Sequence, residues 1–341
     1  MNGPTGGRRF AWPWTGGPAT RVAPSGLVEG AHVSLEHPEE DGRILAPGSE
    51  DFKAGGIIPA MDPFSAERLM ISQASPISLS GWALVLGASS GFGEATSLAL
   101  ARAGLHIFGV HLDRKATVGN AERIAREIRA LGREVRFFNV NAADADKRAE
   151  VSAEMERTLA ERWEMGRLRV LLHSLAFGTL KLYVTDPMKD AVTPAQMDMT
   201  VDVMAHSLVY WVQEVVGRGV MGRGGRIFAM TSAGGSRVLP HYGPVSAAKA
   251  ALESHIRQLA MELAPRGITV NAIRAGVTVT PASTRIPGSA EIFESAARRN
   301  PMGRLTTPHD VACAIVVLSH PDTYWITGNV VGADGGEDIV G

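Results

Sequence analysis

The sequence is short of cysteine, of net charge and of long apolar runs, and each shortage excludes a class of protein. Cys313 is the single thiol in 341 residues, so no internal disulfide can form and a stapled secreted fold is excluded. A reducing, cytoplasmic setting fits, with Cys313, between Ala312 and Ala314, expected to be packed and inert. Thirty-four basic residues against 35 acidic ones leave a net charge of −1, which removes the simplest electrostatic case for a nucleic-acid binder. No uninterrupted apolar stretch approaches the ~20 residues of a membrane-spanning helix. His173, His206 and His241 show no ligand spacing such as His-x3-His, so no metal site is expected. Lysine is scarce: 28 of the 34 basic residues are arginine, and Lys249 is the only lysine after Lys189. What is present, 45% hydrophobic and 20% charged residues, is enough to build a sizeable core.

The chain divides into two compositions. The first 60 residues hold 11 Gly and 7 Pro and show no sustained period of 2 or 3.6, too little burial to offset ordering entropy. Residues 1–75 therefore read as a disordered arm, or as an extension ahead of a true start at Met61 or Met70. They have neither the apolar core of a secretory signal nor the amphipathic helix of an organelle presequence. From about Ser80, short apolar runs alternate with helical stretches. Trp82–Leu86, His106–Val110, Val135–Val140, Arg169–His173, Arg226–Met230 and Ile268–Ile273 read as buried strands. Ala121, Ile124, Ala125, Ile128 and Leu131 share one helix face, closed by Gly132, and Thr193-Pro194 opens another helix running to about Gly217. Alternating strands and helices predict a doubly wound parallel sheet of the Rossmann type, one α/β domain over residues 80–341.

At the first strand–helix junction stands Leu86-Gly87-Ala88-Ser89-Ser90-Gly91-Phe92-Gly93. Glycine tolerates positive φ and admits close backbone approach, while a helix N-terminus offers unpaired N–H groups to an anion. The spacing is Gly-x3-Gly-x-Gly, not the usual dinucleotide fingerprint, but its place marks Gly87, Ser89, Ser90, Gly91, Phe92 and Gly93 as a phosphate cradle. An acidic residue ending the second strand would bind an adenosine ribose and disfavour a 2′-phosphate. That place holds His111, with Asp113, Arg114 and Lys115 beyond. Pairing of Arg114 and Lys115 with a phosphate puts NADPH ahead, with NADH the alternative. Asn139 and Val140, ending the third strand, are expected near the adenine edge.

Ten residues past Thr231-Ser232 comes His241-Tyr242-Gly243-Pro244-Val245-Ser246-Ala247-Ala248-Lys249. Here the chain resembles the short-chain dehydrogenase/reductase superfamily, from about residue 80 onward. Gly87, Gly91 and Gly93 match its glycine loop, Asn271-Ala272-Ile273 with Gly276 its segment beside the nicotinamide, and Asp334-Gly335-Gly336 its C-terminal signature. The common member has Tyr four residues before Lys, where this chain has Val245; the nearby phenol, Tyr242, stands seven before Lys249. That spacing is similar to the enoyl-acyl-carrier-protein reductases. His173-Ser174-Leu175-Ala176-Phe177 resembles the corresponding stretch of that branch, and Asp202 stands where ketoreductase-type members carry a catalytic Asn.

The spacing has a mechanical meaning. Seven residues return to nearly the same helix face as four, but about one turn, ~5 Å, further away. In enoyl-thioester reduction hydride enters C3 while charge collects on the thioester oxygen at C1, so the acid must stand further from the nicotinamide than in ketone reduction. Gly243-Pro244 implies that the start of this segment is turn rather than helix. The resemblance implies Tyr242 as hydrogen-bond donor to the enolate, and Lys249 as the cation that grips the nicotinamide ribose and favours the tyrosinate. Thr231 or Ser232 adds a second donor or serves as a neutral spacer. Ser174, Gly276, Thr278 and Thr280 line the cofactor.

Pro281 to Asn300 breaks the alternation and is expected to cover the substrate. Arg285, Arg298, Arg299 and Arg304 cluster there as a surface for an acidic carrier or a phosphopantetheine phosphate, or as ordinary surface charge. The leading expectation is NAD(P)H-dependent reduction of an enoyl thioester on acyl carrier protein or coenzyme A, in fatty-acid synthesis. Its rivals are a carbonyl or 3-oxoacyl reductase using Tyr242 with Ser232, and a catalytically silent nucleotide-sensing scaffold. Analogy with the superfamily implies a homotetramer.

Overall fold

Six apolar runs form the strands β1 (Trp82–Leu86), β2 (His106–His111), β3 (Val135–Asn139), β4 (Leu168–His173), β5 (Arg226–Ser232) and β6 (Thr269–Ala275). The computed structural model describes residues 77–162 and 167–340, so the arm assigned to residues 1–75 lies outside the described residues. A seventh strand, β7 (Val330–Ala333), is absent from the sequence reading. It is an edge strand whose residues alternate between exposed and half-buried, so no apolar run announces it. All pairs are parallel, in the order β3-β2-β1-β4-β5-β6-β7. The order reverses between β1 and β4, and a ligand crevice is expected outside their carboxyl ends.

The helices are α1 (Gly91–Arg102), α2 (Val118–Ala130), α3 (Ala145–Ala160), α4 (Pro194–Val201), α5 (Ser207–Gly217), α6 (Gly243–Leu263), α7 (Ser289–Arg299) and α8 (Pro308–Leu318). Strand period 2 divides the core into two layers. Trp82, Leu84 and Leu86 of β1 pack with Met155 of α3, Trp211 of α5 and Leu252 of α6. Ala83 and Val85 face the other way, toward Leu98 of α1, Ile128 of α2 and Ile315 of α8. Both faces are covered, which is why the strands read as continuous apolar runs rather than alternating ones. No described helix is long and apolar enough to cross a membrane.

The helix predicted from Thr193 begins in a capping box formed by Thr193 and Gln196. It runs through α4 and α5 with a five-residue π-helical turn, Asp202–His206, between them. Three other expectations are corrected. The segment 281–300 is not all irregular, since it carries α7 behind a glycine N-cap, Gly288. Gly243-Pro244 opens α6 directly, with proline in the first turn, where its missing N–H has no partner to lose. Cys313 is exposed, not packed. On α8 the buried residues are Val311, Ala312 and Ile315, and the ~100° step per residue turns position 313 away from them.

α8 is secured by a second capping box, in which Thr307 and Asp310 exchange hydrogen bonds with each other's backbone N–H and Arg304 pairs with Asp310. Burial pushes the Asp310 carboxyl up, but Arg304 and Thr307 outweigh it and hold the group down to about 2. Its stabilisation is therefore complete above the ordinary carboxylate range and lost as pH falls toward 2. Asp310→Ala is expected to cost about 1–2 kcal/mol at neutral pH. Urea titrations should show the gap to wild type narrowing between pH 4 and pH 2.

Candidate active site

The glycine turn joins β1 to α1 at the point where the strand order reverses. Gly87 and Gly91 have positive φ, +87° and +55°. A Cβ on Gly87 would collide with the Ser174 carbonyl oxygen, and one on Gly93 with the Gly87 carbonyl oxygen, so the turn packs backbone to backbone against the end of β4. Ser90 is the N-cap of α1, yet its side chain makes no capping hydrogen bond. The first-turn N–H groups are therefore left to an anion, and the cradle fits a dinucleotide pyrophosphate. Phe92, Ser174, Ser232, Tyr242, Lys249, Gly276, Thr278 and Thr280 all line one cleft of about 240 Å³. Gly87, Ser89, Ser90, Gly91 and Gly93 do not line it, although Gly91 lies beside Thr280, which does.

Arg114, Asn139 and Val140 lie outside that cleft, around the ends of β2 and β3. Asn139 is occupied structurally: its side chain accepts from the Asp113 N–H at 2.9 Å and donates to the Asp113 carbonyl at 3.0 Å. The Val140 N–H donates to the His111 carbonyl. Arg114 is exposed. Asp113 is half-buried beside them. His111 Nδ1 lies 2.8 Å from its carboxylate. Burial raises the Asp113 carboxyl, but hydrogen bonds from Thr117, Ser89 and His111 outweigh it and hold it below the usual range.

At the other end, Tyr242 is the N-cap of α6 and Lys249 lies on its buried face. His241 before it has φ +62°, the only non-glycine left-handed residue among those described. Such strain persists where surrounding structure requires it, and here it turns the chain so that α6 can start at Gly243. Tyr242 packs against the cluster of Met204, Val245 and Ala248. Its hydroxyl faces Ser232 Oγ at 3.4 Å, long for a strong hydrogen bond, so both hydroxyls remain available to a third group. Thr231 does not share this position: its Oγ1 donates to Glu253 Oε1 at 2.6 Å.

Lys249 is buried, and its Nζ donates to the Met230 carbonyl at 2.6 Å. Burial lowers its ammonium to about 8, with Glu253 acting in the opposite direction. Burial also raises the Tyr242 phenol, against a smaller lowering by Ser232. This corrects the expectation that Lys249 holds the phenol toward tyrosinate, because desolvation dominates and keeps the hydroxyl protonated. His173 ends β4 beneath the cleft. Ser207 Oγ donates to the Val203 carbonyl at 2.7 Å, so His173 Nε2 is the donor to Ser207 Oγ at 2.8 Å. Burial first and the Lys249 charge second bring the His173 imidazole down to about 3. The two buried bases thus leave a single cation at neutral pH.

The profile of the family described as Enoyl-(Acyl carrier protein) reductase matches residues 87–337. The chain belongs to that branch of the short-chain dehydrogenase/reductase superfamily. Among curated relatives, the enoyl-[acyl-carrier-protein] reductase [NADH] FabI of Aquifex aeolicus is 33% identical over 190 residues, covering 55% of this chain and 67% of the relative. The 3-oxoacyl-[acyl-carrier-protein] reductase FabG of Thermotoga maritima is 29% identical over 253 residues, 74% of this chain and 96% of the relative. The crystal structure of the NADH enoyl reductase from Aquifex aeolicus VF5 superposes with a TM-score of 0.66 at 25% identity, covering 78% of this chain and 99% of that one. A short-chain dehydrogenase/reductase is an oxidoreductase that uses a nicotinamide cofactor, and the cleft has the parts for one.

Ile286, Ile292 and Phe293 line the cleft and come from the segment 281–300 that was expected to cover the substrate. Sequence reasoning missed Arg237, Arg274, Glu337 and Asp338, which line it too. Two of the four arginines read as a docking cluster are paired within the chain, Arg298 with Glu294 and Arg304 with Asp310. No local signal marks Arg237, Arg274, Glu337 or Asp338, since their partners lie far away in sequence.

Holding an ammonium in a buried site costs stability below about pH 8. The cost is relieved as pH rises toward 10.5, where the unfolded lysine also loses its proton. Lys249→Met should therefore raise the thermal midpoint at pH 7, with the gain shrinking between pH 8 and pH 10.5. The same variant should bind a reduced nicotinamide dinucleotide at least tenfold more weakly. Scanning calorimetry and fluorescence titration check the two halves separately.

Proposed function

We propose that the protein reduces a trans-2-enoyl thioester, carried on acyl carrier protein or coenzyme A, to the saturated acyl thioester of fatty-acid synthesis. The observation that carries this reading is the position of the phenol. Val245, four residues before Lys249, lines the cleft with an apolar side chain, and the hydroxyl opposite Ser232 comes from Tyr242 at the very tip of α6. An acid at that distance from the ribose-binding lysine matches charge developing at C1 rather than at the carbon that receives hydride. When bound, a reduced nicotinamide supplies hydride to C3 of the enoyl group.

The residues divide the remaining work. Tyr242, kept protonated by burial, donates to the thioester oxygen as it gains charge. Ser232 adds a second donor from the end of β5. Lys249, cationic below about pH 8, holds the ribose hydroxyls. Gly87 to Gly93 hold the pyrophosphate, with Thr280 beside Gly91. The apolar wall of Leu180, Met204, Ile286, Ile292 and Phe293 excludes water and accepts an acyl chain. A fixed, ionised Asp113 accepts from a ribose 2′-hydroxyl and repels a 2′-phosphate. This reverses the expected order of cofactors and puts NADH ahead of NADPH. Assembly as a homotetramer belongs to the same reading.

Ketone reduction is the second reading, favoured by the Ser232–Tyr242 pair and by the likeness to a 3-oxoacyl reductase. Crotonyl and acetoacetyl thioesters assayed side by side separate the two: turnover of the ketone alone would remove the enoyl reading. On crotonyl thioester, Tyr242→Phe should lower kcat by about 10²–10³-fold while cofactor affinity holds. Asp113→Ala should cut the ratio of kcat/KM for NADH over NADPH by about tenfold. An unchanged ratio would assign cofactor choice to other residues.

A further inference from the structure

We propose that the C-terminal turn Asp334–Ile339 is a clasp that sets the shape of the nicotinamide-facing loop, with Glu337 and Arg237 as positioning residues for cofactor binding. The proposal rests on the reading that the loop after β6, Gly276–Thr280, holds the nicotinamide end. Glu337 lies in a short turn after Asp334-Gly335-Gly336 and is only 7% exposed. Its Oε2 accepts the Val277 N–H at 2.9 Å. A backbone N–H bound from one side fixes the peptide plane, and so determines which groups of the next residue face the cleft.

Gly276 shows how tightly the clasp is closed. A Cβ there would collide with Thr306 Oγ1 and come within 2.8 Å of Glu337 Oε2. Gly276 lies outside the left-handed region, so conformational freedom is not its use. Glycine is required because two side chains press on the loop from behind.

The same turn reaches across to the loop that carries Tyr242. Arg237 Nη2 donates to the Asp338 carbonyl at 2.6 Å and lies 3.1 Å from its carboxylate. Arg274 on β6 pairs with the other Asp338 oxygen at 2.8 Å and approaches Asp334 at 3.8 Å. A single six-residue turn, 334–339, therefore bonds the loop after β5 through Arg237, β6 through Arg274 and the loop after β6 through Glu337. A terminal segment that only closed the core would be apolar. Here buried and half-buried carboxylates are each matched to an arginine or an N–H, and such groups are costly unless they fix geometry.

The test compares NADH with ADP-ribose, which lacks the nicotinamide, by fluorescence or calorimetric titration of the full chain. Glu337→Ala is expected to weaken NADH about tenfold and ADP-ribose less than twofold. Glu337→Gln, whose amide oxygen accepts the same N–H, should stay within about threefold of wild type for both ligands. Asp338→Asn, a milder cut at the Arg237 side, should weaken NADH alone, by about threefold. Equal weakening of both ligands in Glu337→Ala and Asp338→Asn would reduce the turn to a general stabiliser and overturn the proposal. Loss in Glu337→Gln as large as in Glu337→Ala would overturn the hydrogen-bond role. Wild-type protein that binds NADH no tighter than ADP-ribose would overturn the reading of the loop, and the proposal with it.

Discussion

The site depends on one buried cation. An ammonium without solvent is unfavourable, and the surroundings of Lys249 are arranged so that it is nonetheless the charged group of choice. The Met230 carbonyl accepts from it, Glu253 lies one helical turn along α6, and the imidazole beneath is kept neutral. Arginine would be too long and too strongly basic for this place, which explains a lone lysine after residue 189, where the other Lys/Arg positions are all arginine. The geometry around it follows. α6 must start abruptly to bring a phenol to its tip, so a strained His241 and a first-turn Pro244 stand side by side.

Much of the fold and of the site was legible in local sequence, for reasons that can be traced to particular residues. Strands covered on both faces appear as uninterrupted apolar runs, and all six read from the sequence lie within two residues of their observed starts and ends. The Gly87 turn and the Tyr242–Lys249 spacing are contiguous motifs and needed no tertiary information. β7 escaped because an edge strand with alternating exposure carries no such run. α7 escaped because Pro281, Pro287 and Gly288 surround it with loop signals, and its N-cap is a glycine in the left-handed region rather than a side-chain cap.

The partners that were missed share one property. Val277 and Glu337 are 60 residues apart, and Arg237 and Asp338 are 101 apart. A charge at such a distance looks like any surface charge until the sheet closes. Asp113 is a related case: it was visible, two residues beyond the position where an acid was sought, but only its bonds to Ser89, Thr117 and His111 show that it is held over the glycine turn.

The π-helical turn at Asp202–His206 carries one further consequence. Such a turn holds one residue more than the α-helix it interrupts, so the two flanking segments are out of phase by roughly 100°. α4 turns Thr200 toward the cleft wall, where it accepts the Thr179 N–H, whereas α5 gives Leu208, Trp211, Val212 and Val215 to the core. Loss of one residue between 201 and 207 would let the turn close as regular α-helix with both surfaces kept, whereas the same loss within α4 or α5 would rotate one surface by roughly 100° against the other.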